Sequence, residues 1–467
     1  MESHRHLSER LAVQLAPLVP PHSSILIGLS GGVDSVVLLY LLHLLAPRFS
    51  WQLSALHVHH GISPNADAWV DFCAKLCASR AIPLHIEHVD IAPLRAHGIE
   101  AAARKLRHAA FAGQACDFVA LAHHADDQAE TLLLQLLRGA GVKGAAAMSA
   151  TRTPSPSMGE GGGEGERKSP VLLRPMLHCS RREILAYAEA HGLQWIEDES
   201  NADDSYPRNF LRHRLMPLLE EKFPAYRDTL ARSAQHFAEA NVLLDDLARL
   251  DAQNPLPLPS RERAGERGEG HDATLEVSRL QSLSQPRAKN LLRYFLHTCG
   301  APMPQTVQLD NMLQQLCNAR EDAAVCIAYS DWEVRRYQGG VYVLHALGEF
   351  DRNLILQWHG EAELDWPALN KRLRFIRSHG IGISLEKLQR APVTLRLRSG
   401  GETLRPHQNA AMRTLKNLLQ ESRIPPWQRD RLPLLYCGEA LVSVPGVAIA
   451  AEYQAAAKET GMQLLDE

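Results

Sequence analysis

The 467-residue chain carries 50 Lys and Arg against 53 Asp and Glu, a net charge of -3, so no global basic field marks it for nucleic acid and any basic surface must be local. Its eight cysteines are scattered without a C-x-x-C pair, which speaks against zinc ribbons, iron–sulfur ligation and a disulfide framework and fits a reducing cytoplasm. The longest apolar run, Val36 to Ala46, is broken by His43 and too short to span a bilayer, so a soluble cytoplasmic protein is expected, with no membrane partner and about three domains by length.

From residue 23 to about 150, apolar runs alternate with helical periodicities, the pattern of a parallel sheet with crossover helices. Ser24 to Leu29, Gln52 to His57, Leu84 to His88 and Phe118 to Ala122 read as strands. Segments 153 to 170 and 254 to 271 are rich in Pro, Gly, Ser, Glu and Arg and hold too few apolar residues to bury, so they read as low-complexity inserts. Arg174 to Leu250 reads as mostly helical. Pro286 to Cys299 and Val307 to Cys317 read as helices, Ala323 to Leu344 as short strands, and the last segment as strands at Thr394 to Leu397 and Leu441 to Val444 around a helix at Ala411 to Glu421. The expected organisation is an α/β doubly wound parallel-sheet domain over 1–222 with the insert 153–170, a mostly helical middle domain over 223–365 with the insert 254–271, and a small α+β C-terminal domain over 385–467.

The densest chemistry lies in Ser30-Gly31-Gly32-Val33-Asp34-Ser35, placed between a strand and a long apolar helix. A glycine turn there aims backbone N–H groups and a helix dipole at one spot, an anion site. The ordinary P-loop lysine is missing, and glycines at 28, 31 and 32 do not fit the dinucleotide fingerprint G-x-G-x-x-G. What remains resembles the SGGxDS signature of the PP-loop ATP pyrophosphatases, while the bland reading is a glycine turn without a ligand. The fourth strand runs into His123-His124-Ala125-Asp126-Asp127-Gln128-Ala129-Glu130. Ligands in open α/β sheets sit beyond the carboxyl ends of strands, so the two motifs should face one site. Asp127 and Glu130 at i and i+3, with Asp126 and Glu130 at i and i+4, cluster carboxylates on one helix face. Such a cluster calls for a cation, either Mg²⁺ with a nucleotide or an amine substrate, although an acidic first turn also satisfies a helix dipole by itself. Arg104, Lys105, Arg107 and His108 give a helix a basic side that is either a solvated face or a clamp on departing phosphate. Arg208, Asn209, Arg212, His213 and Arg214 form a local basic patch after Glu197-Asp198-Glu199.

Together, GLSGGVDS at 28 to 35, HVHHGISPNADAW at 57 to 69, EAAARKLRH at 100 to 108, LAHHADDQAETLLLQLLRGAG at 121 to 141, WIEDESN at 195 to 201 and RNFLRHRLMP at 208 to 217 resemble the bacterial tRNA(Ile)-lysidine synthetase family. LRLRSGGETLRP at 395 to 406 and LKNLLQESRIPPWQRDRLPLLY at 415 to 436 resemble that family's last domain, and the likeness spans most of the chain outside the two inserts. The resemblance implies an ATP-dependent carbon–nitrogen ligase that joins L-lysine to the wobble cytidine of a CAU-anticodon tRNA(Ile). Charge and position assign Ser30, Gly31, Gly32, Val33, Asp34 and Ser35 to ATP at its pyrophosphate moiety, Asp34 and Asp127 to Mg²⁺, and Asp127 and Glu130 to lysine or the metal. Arg104 and Arg107 fall to phosphate or the target nucleotide, and Arg208, Arg212, Arg214, Arg396, Arg398 and Arg405 to tRNA. A homodimer stays open, as do two other functions, tRNA thiolation by another PP-loop enzyme and RNA binding without catalysis.

Overall fold

The computed structural model describes residues 2–61, 63–91, 99–152, 170–199, 203–253, 275–320, 323, 325–348, 350–369 and 371–466, so both low-complexity inserts lie almost wholly outside the described residues. The chain divides into two compact units, Met1–Asp251 and Ala252–Glu467.

The first unit opens with α1 (Glu2–Leu15), then alternates β1 (Ser24–Gly28), α2 (Val33–Phe49), β2 (Gln52–His59), α3 (Ala66–Ala78), β3 (Leu84–His88), α4 (Ile99–Ala112), β4 (Phe118–Ala120) and α5 (Ala125–Leu137). A short α6 (Val142–Ala145) and β5 (Thr151–Arg152) precede β6 (Val171–Leu173) and α7 (Arg181–Ala190). Then come α8 (Pro207–Phe210), a π-helical turn at Leu211–Leu215, α9 (Met216–Lys222) and the long α10 (Tyr226–Gln253). The strands form one sheet in the order β3-β2-β1-β4-β6-β5, parallel except for the β5–β6 pair. The expected doubly wound sheet is therefore present. The strand order reverses between β1 and β4, and at such a switch point the helices leaving two neighbouring strands depart to opposite faces and open a crevice.

The strands are apolar because both faces are covered. On one face Ile25, Ile27 and Ala55 pack with Leu11, Leu15, the buried side of α2 and Ile184 and Tyr187 of α7. On the other, Leu26, Leu56 and Val119 pack against Phe111 of α4. Asp117 pins the start of β1 to the start of β4 by accepting from the Ser24 N–H at 2.8 Å and the Ser24 hydroxyl at 2.7 Å.

In the second unit β7 (Leu275–Glu276), α11 (Val277–Ser282), α12 (Gln285–Thr298) and α13 (Thr306–Asn318) lead to the hairpins of β8 (Val325–Tyr329), β9 (Trp332–Tyr337) and β10 (Gly340–His345), in the order β7-β10-β9-β8. There follow β11 (Ile355–Trp358), β12 (Glu363–Trp366), β13 (Lys371–His379), β14 (Ile383–Ser384), α14 (Leu385–Leu388), β15 (Val393–Arg396), β16 (Thr403–Leu404) and β17 (Arg413–Thr414). The chain closes with α15 (Leu415–Glu421), α16 (Pro426–Arg429), β18 (Leu434–Cys437), β19 (Ala440–Val444), β20 (Ala448–Ile449) and β21 (Thr460–Asp466). Two antiparallel sheets, β11-β15-β18-β19-β20 and β12-β13-β21-β14, enclose a core centred on Trp366, Leu373, Leu395 and Leu435. The expected boundary at 365 falls inside β12; β11 pairs with β15 and β13 with β21 of the last segment, while β12 pairs with β13. A chain cut there would part β11 from β15 and β12 from β13.

The glycine turn is locked from below. Gly31 has φ +89°, and a Cβ there would lie 2.7 Å from Ile196 Cδ1 and 3.3 Å from Cys73 Sγ. The Gly31 carbonyl accepts from the Ile196 N–H at 2.9 Å, so the segment after α7 closes on the turn by main chain as well as side chain. Gly32 is in an ordinary extended conformation, and its Cβ would meet only Ser30 Oγ at 3.6 Å. Gly31→Ala is expected to cost about 1–2 kcal/mol for the left-handed backbone before any clash, a fall of roughly 2–8 °C in Tm for a unit of this size. Gly32→Ala should leave the calorimetric transition in place, and equal melting of both variants would contradict this account of the turn.

Candidate active site at the carboxyl edge of the parallel sheet

Each site element starts where a strand ends. Beyond β1, the Ser35 hydroxyl accepts from the Gly31 N–H at 3.1 Å and donates to the Gly32 carbonyl at 2.9 Å, while the Ser30 hydroxyl donates to Ser35 at 3.2 Å. Ser30 and Ser35 thus hold the turn's shape. No side chain caps α2, whose first turn contains Val33 and Asp34, so its N–H groups face the crevice as donors for an anion.

Beyond β4, His124 is the N-cap of α5. Its Nδ1 accepts from the Asp127 N–H at 3.4 Å, and Asp127 Oδ2 accepts from the His124 N–H at 3.0 Å. This reciprocal box fixes the orientation of Asp127. Asp126 accepts from the Arg181 N–H at 2.9 Å and from the Arg227 guanidinium, tying α5 to the starts of α7 and α10.

Glu130 is 1 % exposed. A buried carboxylate needs cations, and two arginines supply them: Arg208 Nε donates to Oε2 at 2.8 Å, and Arg212 Nε and Nη2 donate to Oε1 and Oε2 at 2.7 and 3.0 Å. Both guanidinium groups also lie 3.5 Å from Asp127 Oδ1. Arg208 in α8 and Arg212 in the π-helical turn at Leu211–Leu215 are four residues apart, so one helix face presents both to one carboxylate. Of the residues expected to form an exposed basic patch, these two point into the carboxylate cluster, whereas Arg214 pairs with Asp204 at 2.9 Å on the surface.

Asp34 is different. Its Oδ2 receives Arg181 Nη1 at 3.3 Å, while Oδ1 is buried without a hydrogen bond and lies 3.7 Å from His124 Nε2. Burial pushes the Asp34 carboxyl up, against the opposing pull of His124 and Arg181. Burial works in the same direction on Asp127, but the charges of His124 and Arg208 outweigh it and hold that carboxyl below its usual range. Asp34 and Asp127 therefore stand side by side with opposite tendencies. Asp34 is the one with an unmatched oxygen turned to a cation or a donor.

Arg104 and Arg107 of α4 are exposed at the same edge. Arg104 acts on His108, His123 and Arg174, and Arg107 on His60 and His108. His123 is pushed down to about 3, chiefly by burial and further by the surrounding arginines, so it is a neutral ring at physiological pH. Sequence reasoning misses Arg181, Arg227, Arg174 and the capping role of His124. The Ser180–Glu183 capping box that fixes the start of α7 is the readable signal for Arg181. Arg396, Arg398 and Arg405 lie in the second unit. Arg396 pairs with Glu439 at 3.0 Å and stacks on Tyr436, Arg398 lies 3.9 Å from Asp430, and Arg405 Nε is buried without a partner.

Three family models match the chain: a PP-loop domain over residues 4–219, a TilS substrate binding domain over 275–342 and a TilS substrate C-terminal domain over 393–465. The chain is 42 % identical to the tRNA(Ile)-lysidine synthase of Nitrosomonas europaea, covering 95 % of this chain and 92 % of that one. It is 40 % identical to that of an Azoarcus species, covering 96 % and 92 %, and 37 % identical to that of Coxiella burnetii, covering 94 % and 92 %. Among solved structures, a U34-tRNA thiolase of Methanococcus maripaludis is 21 % identical with a TM-score of 0.41, covering 50 % of this chain and 79 % of that one. A TilS C-terminal domain is 17 % identical with a TM-score of 0.21, covering 24 % and 97 %. With identity of this order sustained over nearly the full length of its relatives, the chain belongs to the tRNA(Ile)-lysidine synthase family.

Proposed function

We propose that this chain ligates the ε-amine of L-lysine to C2 of the wobble cytidine of a CAU-anticodon tRNA(Ile), using ATP in the cytoplasm. The observation that carries this reading is the meeting, at one sheet edge, of an uncapped helix start for phosphate and a carboxylate set in which Asp34 Oδ1 has no partner. The C2 oxygen of cytosine is a poor leaving group. It first attacks the α-phosphorus of ATP, releasing pyrophosphate and leaving an adenylated base; the lysine amine then bonds to C2 and AMP departs with the former C2 oxygen. An amine of solution pKa about 10.4 must lose a proton before it attacks.

The residues divide this work by their surroundings. The first-turn N–H groups at Val33 and Asp34, with Gly31, Gly32, Ser30 and Ser35 shaping the turn, receive pyrophosphate. Among the described residues no trio of His, Cys, Asp and Glu is spaced to hold a metal by itself. The unmatched Asp34 oxygen beside the phosphate position does fit Mg²⁺, which typically takes one or two carboxylates plus phosphate and water. When bound there, the ion offsets charge on the departing pyrophosphate. Asp127, held ionised and oriented by His124, receives the lysine ammonium, whose proton is lost to solvent before the amine attacks. Glu130, expected from sequence to share that task, has both oxygens committed to Arg208 and Arg212, so it serves as a positioning residue for these two guanidinium groups beside the reacting phosphate. Arg104 and Arg107 extend the positive edge toward the nucleotide, and Arg214, Arg396, Arg398 and Arg405 contact tRNA.

Asp34→Asn should abolish tRNA-dependent ATP–pyrophosphate exchange while filter-binding affinity for tRNA persists; near wild-type exchange would remove Asp34 from the metal. Asp127→Asn should raise the KM for lysine about tenfold, the equivalent of about 1.4 kcal/mol, with adenylated tRNA still accumulating. Lost adenylation with an unchanged lysine KM would instead move Asp127 to the metal. Glu130→Gln is expected to lower stability by about 3 kcal/mol by removing the buried carboxylate that two half-buried guanidinium groups share, read in urea unfolding, and a stable variant with only a lysine defect would restore Glu130 to substrate binding. Replacing Arg398 and Arg405 together by Gln should weaken tRNA binding and flatten its dependence on log salt by about 0.9 for each phosphate no longer neutralised. An unchanged slope would take these residues off the RNA.

A further inference from the structure

Arg174 stands at the carboxyl end of β6 and is 5 % exposed. Its main-chain N–H donates to the Ala150 carbonyl at 2.8 Å and its Nη1 to the Ser149 carbonyl at 2.6 Å, which anchor it beside the hairpin of β5 and β6. Its Nε is buried and bonds to nothing. A buried guanidinium is ordinarily matched by a carboxylate, as Arg208 and Arg212 are by Glu130. Among the described residues no carboxylate pairs with Arg174, and the charges that act on it are two more cations, Arg152 and Arg104. Burial and these like charges push even this guanidinium down to about 10. The rings beside it, His108 and His123, are driven to about 4 and about 3 by burial and by the same arginines, and His123 Nδ1 is likewise buried without a bond. A buried guanidinium with an unspent donor and no carboxylate partner among the described residues carries an unmatched charge.

We propose that Arg174, with Arg104 and Arg152, forms a second oxyanion subsite that takes a phosphoryl group distinct from the one on the glycine turn. The strand order supports the separation: β6 lies beyond β4 from β1, so the ends of β1 and β6 are two strand spacings apart, about 10 Å. The carboxylate cluster of α5 leaves β4 between them, so a reacting base at that cluster would have phosphate sites on both sides. The group comes either from the nucleotide or from the RNA backbone, and the chemistry of recognition is the same for both. This inference rests on reading the sheet edge as a nucleotide and tRNA site.

The test measures binding of Mg·ATP and, separately, of a CAU-anticodon tRNA(Ile) transcript to the full chain and to Arg174→Gln and Arg152→Gln. Arg174→Gln should weaken one of the two ligands about tenfold, the loss of one charge-assisted hydrogen bond of about 1.4 kcal/mol. Arg152→Gln, at an exposed position, should weaken the same ligand by less. Loss on the ATP arm assigns the subsite to the nucleotide, and loss on the tRNA arm assigns it to the RNA backbone. Unchanged affinity of a folded Arg174→Gln for both ligands overturns the proposal. If that variant melts early, unchanged affinity of Arg152→Gln for both overturns it instead. Failure of the wild-type chain to bind either ligand would overturn the functional reading itself, a separate outcome.

Discussion

Everything at the carboxyl edge depends on how one buried carboxylate is neutralised. Glu130 sits inside the unit where an unpaired charge would be prohibitive, and the two arginines that match it come from about eighty residues further along the chain, on a segment bent by a π-helical turn. That clasp brings α5, the end of β4 and the α8 segment into one cluster. The same two guanidinium groups reach Asp127, whose carboxyl His124 and Arg208 hold low against the upward push of burial. Asp34, just beyond the neighbouring strand, keeps an oxygen that no group among the described residues hydrogen-bonds. The cluster thus separates charges needed for structure from charges held ready for a ligand.

Two cysteines near the turn are poor thiolates. A persulfide or thiolate mechanism needs a cysteine of lowered pKa. Cys73, directly beneath Gly31, is pushed up to about 12 by burial, and Cys179, before α7, to about 11. Both pack as small apolar groups.

Much of this is legible in the sequence. The alternation of apolar runs with helical periodicity places four of the five parallel strands, missing β6, and Leu84–His88 has the same ends in the structure. SGGVDS and HHADD both follow strands directly, which is why switch-point logic brings them to one edge, where His124 lies 3.7 Å from Asp34. Long-range charge pairing is not legible. Arg208, Arg212 and Arg214 look alike in composition, yet Arg208 and Arg212, four residues apart on one helix face, pair with Glu130, while Arg214 on the opposite side pairs with Asp204; which carboxylate lies opposite each face is set by tertiary packing. Likewise β13 pairs with β21 across more than eighty residues, a contact that local pattern does not encode. The expected boundary therefore falls inside β12, within the hairpin that β12 makes with β13.

The central claim is that the phosphate turn and the carboxylate cluster serve one ligation. The most direct measurement incubates the purified chain with CAU-anticodon tRNA(Ile), ATP and isotopically labelled lysine, then follows label, AMP and pyrophosphate together. The account predicts label incorporated at the anticodon cytidine, with one AMP and one pyrophosphate formed per lysine transferred. AMP and pyrophosphate formed without lysine in the RNA, or no tRNA-dependent consumption of ATP at all, would contradict it.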